Sequence, residues 1–173
     1  MDAGRTGPLT SGARLRPPRH RVSARAVPYW TTRAALGWLL VLAGQVAWML
    51  LAGDAGATWR LVAFAVTVVA GAVHVAVMPR WRYRVHRWEA ADHAVYTQSG
   101  WFDQERRIAP VARIQTVDTE RGPLEQLFGL ANVTVTTASA AGALEIKGLD
   151  REVADRLVDE LTAATQADAE DAT

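Results

Sequence analysis

AALGWLLVLAGQVAWMLLA (residues 34–52) and LVAFAVTVVAGAVHVAVM (residues 61–78) hold 19 and 18 residues without a single Asp, Glu, Lys or Arg. At about 1.5 Å of rise per residue, each makes a helix of roughly 27–28 Å, close to a hydrocarbon core of about 30 Å. Only Gly53-Asp54-Ala55-Gly56-Ala57-Thr58-Trp59-Arg60 separates them. A chain of 173 residues has too small a core to hide two helices that are apolar on every face. The pair reads as a transmembrane hairpin, and everything after Met78 reads as a domain held at a membrane surface. Ala55-Gly56-Ala57 has the small-x-small pattern of a signal cleavage site, but the 33 residues before the first run and the second span after it do not fit a signal peptide.

Charge sets the expected orientation. Arg5, Arg14, Arg16, Arg19, Arg21, Arg25 and Arg33 precede the first span against one acid, Asp2, and Arg80, Arg82, Arg84 and Arg87 follow the second. The connecting loop carries only Asp54 and Arg60. By the positive-inside rule both termini of this multi-pass chain are expected to be cytoplasmic. Tyr29, Trp30, Trp59, Trp81 and Tyr83 fall near the span ends, where amphipathic rings favour the headgroup layer. Residues 1–33 read as a disordered basic tail attracted to anionic lipid, a role its place beside a span favours over that of a nucleic-acid arm.

Within the spans the polar side chains are Gln45, Thr67 and His74. In an antiparallel hairpin with this loop, residue numbers at equal depth sum to about 112. Gln45 then lies level with Thr67 and can hydrogen-bond to it, and His74 lies level with Trp38. Gly37 and Gly44, one heptad apart, offer a face for close approach. Helix packing explains these residues better than an ion path, since neither span contains a carboxylate.

The two halves of the chain carry opposite charge: residues 1–87 have twelve basic and two acidic side chains, and residues 88–173 have seven basic and sixteen acidic. A domain so acidic is a poor match for phosphoinositides or nucleic acid, with Arg106, Arg107 and Arg113 as local exceptions. The domain, residues 80–165, shows strand-like alternation. Trp81, Tyr83 and Val85 alternate with Arg82, Arg84 and His86, so the chain is expected to leave the bilayer as a strand. Residues 94–98 and 101–108 read as a hairpin around Ser99-Gly100, and residues 113–120, 132–138 and 144–147 as further strands. Leu124, Leu127 and Phe128 make a short helical turn ended by Gly129. Asp150 is positioned to cap a final helix with an apolar stripe of Ala154, Leu157, Val158 and Leu161, before an acidic, disordered tail at 166–173. The class is α+β: a membrane hairpin, then an antiparallel sheet covered by a C-terminal helix.

Ile108-Ala109-Pro110-Val111-Ala112-Arg113-Ile114-Gln115-Thr116-Val117, Gly122-Pro123-Leu124, Phe128-Gly129-Leu130, Val133-Thr134-Val135-Thr136-Thr137-Ala138 and Ile146-Lys147-Gly148-Leu149 stand in an order and spacing that resemble the YdbS-like bacterial pleckstrin-homology (PH) domain family. The likeness covers residues 34–162. It implies a PH-like fold on the cytoplasmic side and no catalytic site. It also implies a membrane-bound interaction module, often acting with a second protein of related domains. Arg113 and Gln115 stand between two readings, sheet-edge structure and contact surface, and with Leu124, Leu127 and Phe128 they form the candidate interaction surface.

An enzyme is not expected. The chain has no cysteine, its histidines (His20, His74, His86 and His93) are scattered, and no phosphate loop or nucleophile elbow is present. Asp103, Asp118, Glu120 and Glu125 read as a solvated face. No cofactor, metal, nucleic acid or small-molecule substrate is expected. The expected partners are the lipid bilayer and either a second PH-like membrane protein or another copy of the chain. The alternative is an accessory subunit of an export or envelope-stress system whose hairpin contacts lipid or peptide.

Overall fold

The computed structural model describes residues 17–53, 56–91, 93–100, 103–139 and 142–171. Two helices, α1 (Ala26–Leu51) and α2 (Ala57–Val85), pair along their length and are long and apolar enough to cross a membrane. Their outward side chains are bare: Leu40, Leu50 and Leu51 are 76%, 80% and 86% exposed. In water such a surface would be costly, at roughly 25 cal/mol for each Å² of apolar area. In a bilayer it faces acyl chains. Trp59 and Trp81, near the two ends of α2, are likewise exposed, as suits rings at a headgroup layer.

Both helices extend beyond the apolar runs. The alternation over residues 80–86 does not form a strand, because α2 continues to Val85. Propagating an established helix costs far less than starting a new element. Pro79, Val85 and His86 are buried and Arg82 half-buried, an inward set with helical spacing that a seven-residue alternation conceals. At the other end α1 starts at Ala26, eight residues before its apolar run. Residues 17–33 are therefore built into the fold rather than forming part of a tail, whereas residues 1–16 lie outside those described.

Beyond α2 the chain enters a sheet whose first strand precedes the helices. β1 (His20–Arg21) pairs with β2 (Arg87–Ala91), which pairs with β3 (Ala94–Ser99), and β3 with β4 (Glu105–Pro110), all antiparallel. Ser99 sits opposite Glu105, so the expected two-residue turn is a five-residue connection, with Gly100 at φ +104°. Trp101 and Phe102, read as the start of β4, lie outside the described residues. A single 3₁₀ turn (Val111–Arg113) leads into a second antiparallel sheet of β5 (Ile114–Glu120), β6 (Leu130–Thr137) and β7 (Leu144–Asp150). A short helix, α3 (Pro123–Leu127), links β5 to β6, and Gly129 closes it at φ +66° as its sequence position requires.

The last helix, α4 (Arg151–Asp171), runs through most of the stretch read as a disordered tail; no Gly or Pro interrupts it. Its Ala154, Leu157 and Leu161 are at most 3% exposed and pack with Val111 of the 3₁₀ turn and with Val95, Val133, Val135 and Ile146 from both sheets. A second core holds Val22, Ala26, Tyr29, Trp30 and Leu130, with Tyr83, Trp88, Leu124 and Phe128 at its margin. This smaller core seats the domain on the helix pair.

Candidate functional site at the junction of helices and domain

The junction is assembled from residues far apart in the chain. Ala26, Tyr29 and Trp30 recur at helical spacing, Val22 lies in the segment just before the helix, and all are at most 5% exposed. Ala26 fits because Gly148, at φ +79°, has no side chain: a Cβ there would lie 3.0 Å from the Cβ of Ala26. Polar contacts close the seam. The Ser23 amide donates to the Gly148 carbonyl at 2.8 Å, and the Ser23 hydroxyl donates to Asp150 at 2.8 Å. Arg25 adds an ion pair to the same carboxylate at 3.6 Å. Asp150 thus precedes α4 as expected, but its carboxylate also ties down the start of α1.

Tyr29 donates its hydroxyl to Glu125 on α3 at 2.5 Å, and its ring meets Phe128 edge-on at 6.1 Å. Burial, then the Glu125 carboxylate, raises the Tyr29 hydroxyl above its ordinary value. Burial alone would push Glu125 up. Hydrogen bonds from Tyr29, its own backbone amide and Asn132, with the charge of Arg33, outweigh that and hold it below the usual carboxylate value.

Arg82 occupies the corner where α2 leaves its apolar run. Its guanidinium lies over the Trp30 ring at 4.5 Å, and its Nε–H points to His86 Nε2 at 3.4 Å. His86 Nδ1 lies 2.9 Å from the Arg82 carbonyl, which can only accept, so the proton sits on Nδ1 and leaves Nε2 as the acceptor. Burial, then the Arg82 charge, pushes His86 down to about 4. The imidazole is therefore neutral at pH 7. Arg82 itself is lowered by burial, then by the charge of Arg33.

Two clefts flank this corner. One, of about 450 Å³, is lined by Arg82, His86, Thr97, Arg107, Glu145 and Lys147. The other, of about 190 Å³, is lined by Tyr29, Trp30, Arg33, Arg82, Glu125 and Lys147 among others. Residues two apart on one strand pair along the walls, Lys147 with Glu145 at 2.5 Å in both clefts and Arg107 with Glu105 at 2.6 Å in the larger. Among the described residues no group of His, Asp and Glu is arranged to hold a metal ion.

In the spans, Gln45 donates to Thr67 at 2.9 Å, and Trp38 donates to His74 Nδ1 at 2.9 Å. Thr67 passes its own proton to the Ala63 carbonyl, while Gln45 Oε1 is buried without a partner. Of the two glycines expected to allow close approach, neither Gly37 nor Gly44 has an atom within 4 Å of a Cβ position; it is Gly71 that meets the Trp38 ring, at 3.0 Å.

The five residues of the expected interaction surface do not form one patch. Arg113 and Gln115 are exposed at the start of β5. Leu124, Leu127 and Phe128 belong to the connection beyond its other end, seven residues or about 24 Å along the strand. Leu124 and Phe128 pack on the junction core, whereas Leu127 is 77% exposed. Sequence reasoning placed Tyr29 and Trp30 in the headgroup layer and passed over Arg82 and His86. The spacing of Val22, Ala26, Tyr29 and Trp30 was the available signal, hidden by a surrounding composition of Arg, Pro and Ser.

The Bacterial PH domain family model matches residues 23–165 of this chain. The match begins at Ser23, so it takes in the junction and the hairpin as well as the sheets. The UPF0699 transmembrane protein YdbS of Bacillus subtilis (strain 168) is 32% identical over 157 residues, spanning 84% of this chain and 91% of that protein. No solved structure matches the chain.

Proposed function

The chain belongs to the bacterial PH domain family and is a membrane-associated, YdbS-like module, and on that premise we propose that it is a non-catalytic docking protein. Its domain stands on the cytoplasmic face and binds a second membrane protein with a related domain, or another copy of itself. The observation that carries this reading is the outer edge of β5. Among the described residues β5 pairs with β6 alone, and its residues Gln115, Thr116, Asp118, Thr119 and Glu120 are exposed. An unpaired edge is a template for strand addition, and Asp118 and Glu120 restrict which strands can join it. Arg113 and Leu127, exposed at its two ends, provide a charge and an apolar anchor. The arginines at the outer ends of both spans support cytoplasmic termini.

Photocrosslinking in native membranes tests the reading. A benzophenone side chain at Gln115 or Thr119 of the full chain is expected to give one discrete adduct, with a membrane protein or with the chain itself. The same probe at Arg156, on exposed α4 surface, is expected to give none. Equal labelling from all three positions, or no adduct from β5, would sink the proposal. The absence of native cysteine makes topology simple to check: Thr58→Cys should react with an impermeant maleimide in intact cells, and Thr165→Cys should not.

A further inference from the structure

We infer that Arg33 and Arg82 form a clamp for the phosphate group of a membrane phospholipid. Arg33 immediately precedes the first apolar run, and Arg82 stands four residues beyond the second, roughly 6 Å of helix past its end. That is the depth of the headgroups. Side chains lean toward the N-terminus of their own helix. On α1 this sends Arg33 away from the bilayer, where its Nη1 reaches the Tyr29 hydroxyl at 3.4 Å. On α2, Arg82 stands level with Trp30 and lies over its ring. The two guanidiniums converge on the same 190 Å³ cleft.

Neither arginine has a carboxylate within 4 Å among the described residues. Three acids line the cleft on the domain side, Glu120, Glu125 and Glu145; Glu145 is held by Lys147 and Glu125 by Tyr29, and none reaches within 4 Å of either guanidinium. Two like charges facing one space repel each other, and an anion between them relieves that repulsion. A phosphodiester suits the space because its two charged oxygens can accept from both guanidiniums at once. Stacking on Trp30 fixes one fork in advance, which lowers the entropy lost on binding. The guanidiniums of the site come from the basic helix ends. Domain side chains wall the cleft, and the site does not depend on the β5 edge.

The test uses the full chain in a neutral detergent, with unfolding followed by tryptophan fluorescence and retained lipid counted by native mass spectrometry. Phosphatidylglycerol is expected to raise the unfolding temperature saturably and to remain bound at one molecule per chain. A phosphate-free glucosyl diacylglycerol is expected to do neither. Arg82→Gln and Arg33→Gln should each weaken phosphatidylglycerol binding about tenfold, and Arg84→Gln, at an exposed position two residues on, by less than twofold. Should Arg82→Gln fail to fold, Arg82→Lys and Arg33→Gln decide, since Lys keeps the charge but not the fork. Binding unchanged in the Arg33 and Arg82 variants, or equal weakening by Arg84→Gln, would overturn the clamp. An equal stabilisation by millimolar inorganic phosphate would overturn its assignment to lipid.

Discussion

Acidification should destabilise this protein through one residue, His86, and the size of the effect follows from its surroundings. The imidazole is 5% exposed and titrates at about 4, against an ordinary value of 6.5. Above pH 7 it is neutral whether the chain is folded or not, and it contributes no pH dependence. As the pH falls below 6.5 the unfolded chain takes up a proton that the folded chain refuses, so stability falls, until near pH 4 the folded state is protonated too. A tenfold difference in proton affinity between the folded and unfolded chain is worth about 1.4 kcal/mol, so the full loss is about 3 kcal/mol. Between pH 7.5 and pH 5.0 the expected loss is about 2 kcal/mol. Glu125 does not contribute over that range: its value is depressed, and its contribution is lost only below about 4.5, its ordinary value.

Reversible unfolding of the full chain in mixed micelles, followed by tryptophan fluorescence at both pH values, measures this loss. His86→Asn supplies the control, because its side-chain amide can replace Nδ1–H as donor to the Arg82 carbonyl without titrating. The variant's difference between the two pH values should be smaller than the parent's by about 2 kcal/mol. If the two proteins lose stability equally, the group that titrates is not His86, and the account of a buried neutral imidazole beside Arg82 is wrong.

Two more substitutions probe the helices and their seat. Thr67→Val removes the acceptor of the Gln45 amide and should cost about 1 kcal/mol, whereas Gln45→Leu also removes the unpartnered buried Oε1 and should stay within about 0.5 kcal/mol of the parent. Unfolding in bicelles ranks the two, and the opposite order would show that the carbonyl has a partner. Trp30→Ala empties a site only 3% exposed and should cost about 3–5 kcal/mol. Hydrogen exchange should show β1 and β2 losing protection while the α4 core keeps it; uniform loss would mean that the junction and the main core unfold as one.

Local pattern made much of this protein legible. Two apolar runs of bilayer length, the strands from β3 to β7, the turn at Gly129 and the stripe on α4 all depend on neighbours within a few residues, and such signals are written in the chain. The Gln45–Thr67 and Trp38–His74 levels follow as well, since two joined helices of equal rise keep a constant sum of residue numbers. Where α2 would end was misread, because seven residues carry both a two-residue and a helical period, and only contact with Trp30 and the sheets selects one. The candidate interaction surface was misjudged for a related reason: Leu124 and Phe128 read as exposed until the start of α1 is laid on them.

Amino-acid order alone thus determined the membrane hairpin, its arginine flanks and the sheet-and-helix class of the domain. Tertiary structure alone decided the junction. Ser23 meets Asp150 across 127 positions and Tyr29 meets Glu125 across 96, and no local period reports contacts of that range. The desolvation that keeps His86 neutral and sets Arg82 against Trp30 exists only when helix ends and sheets exclude water together.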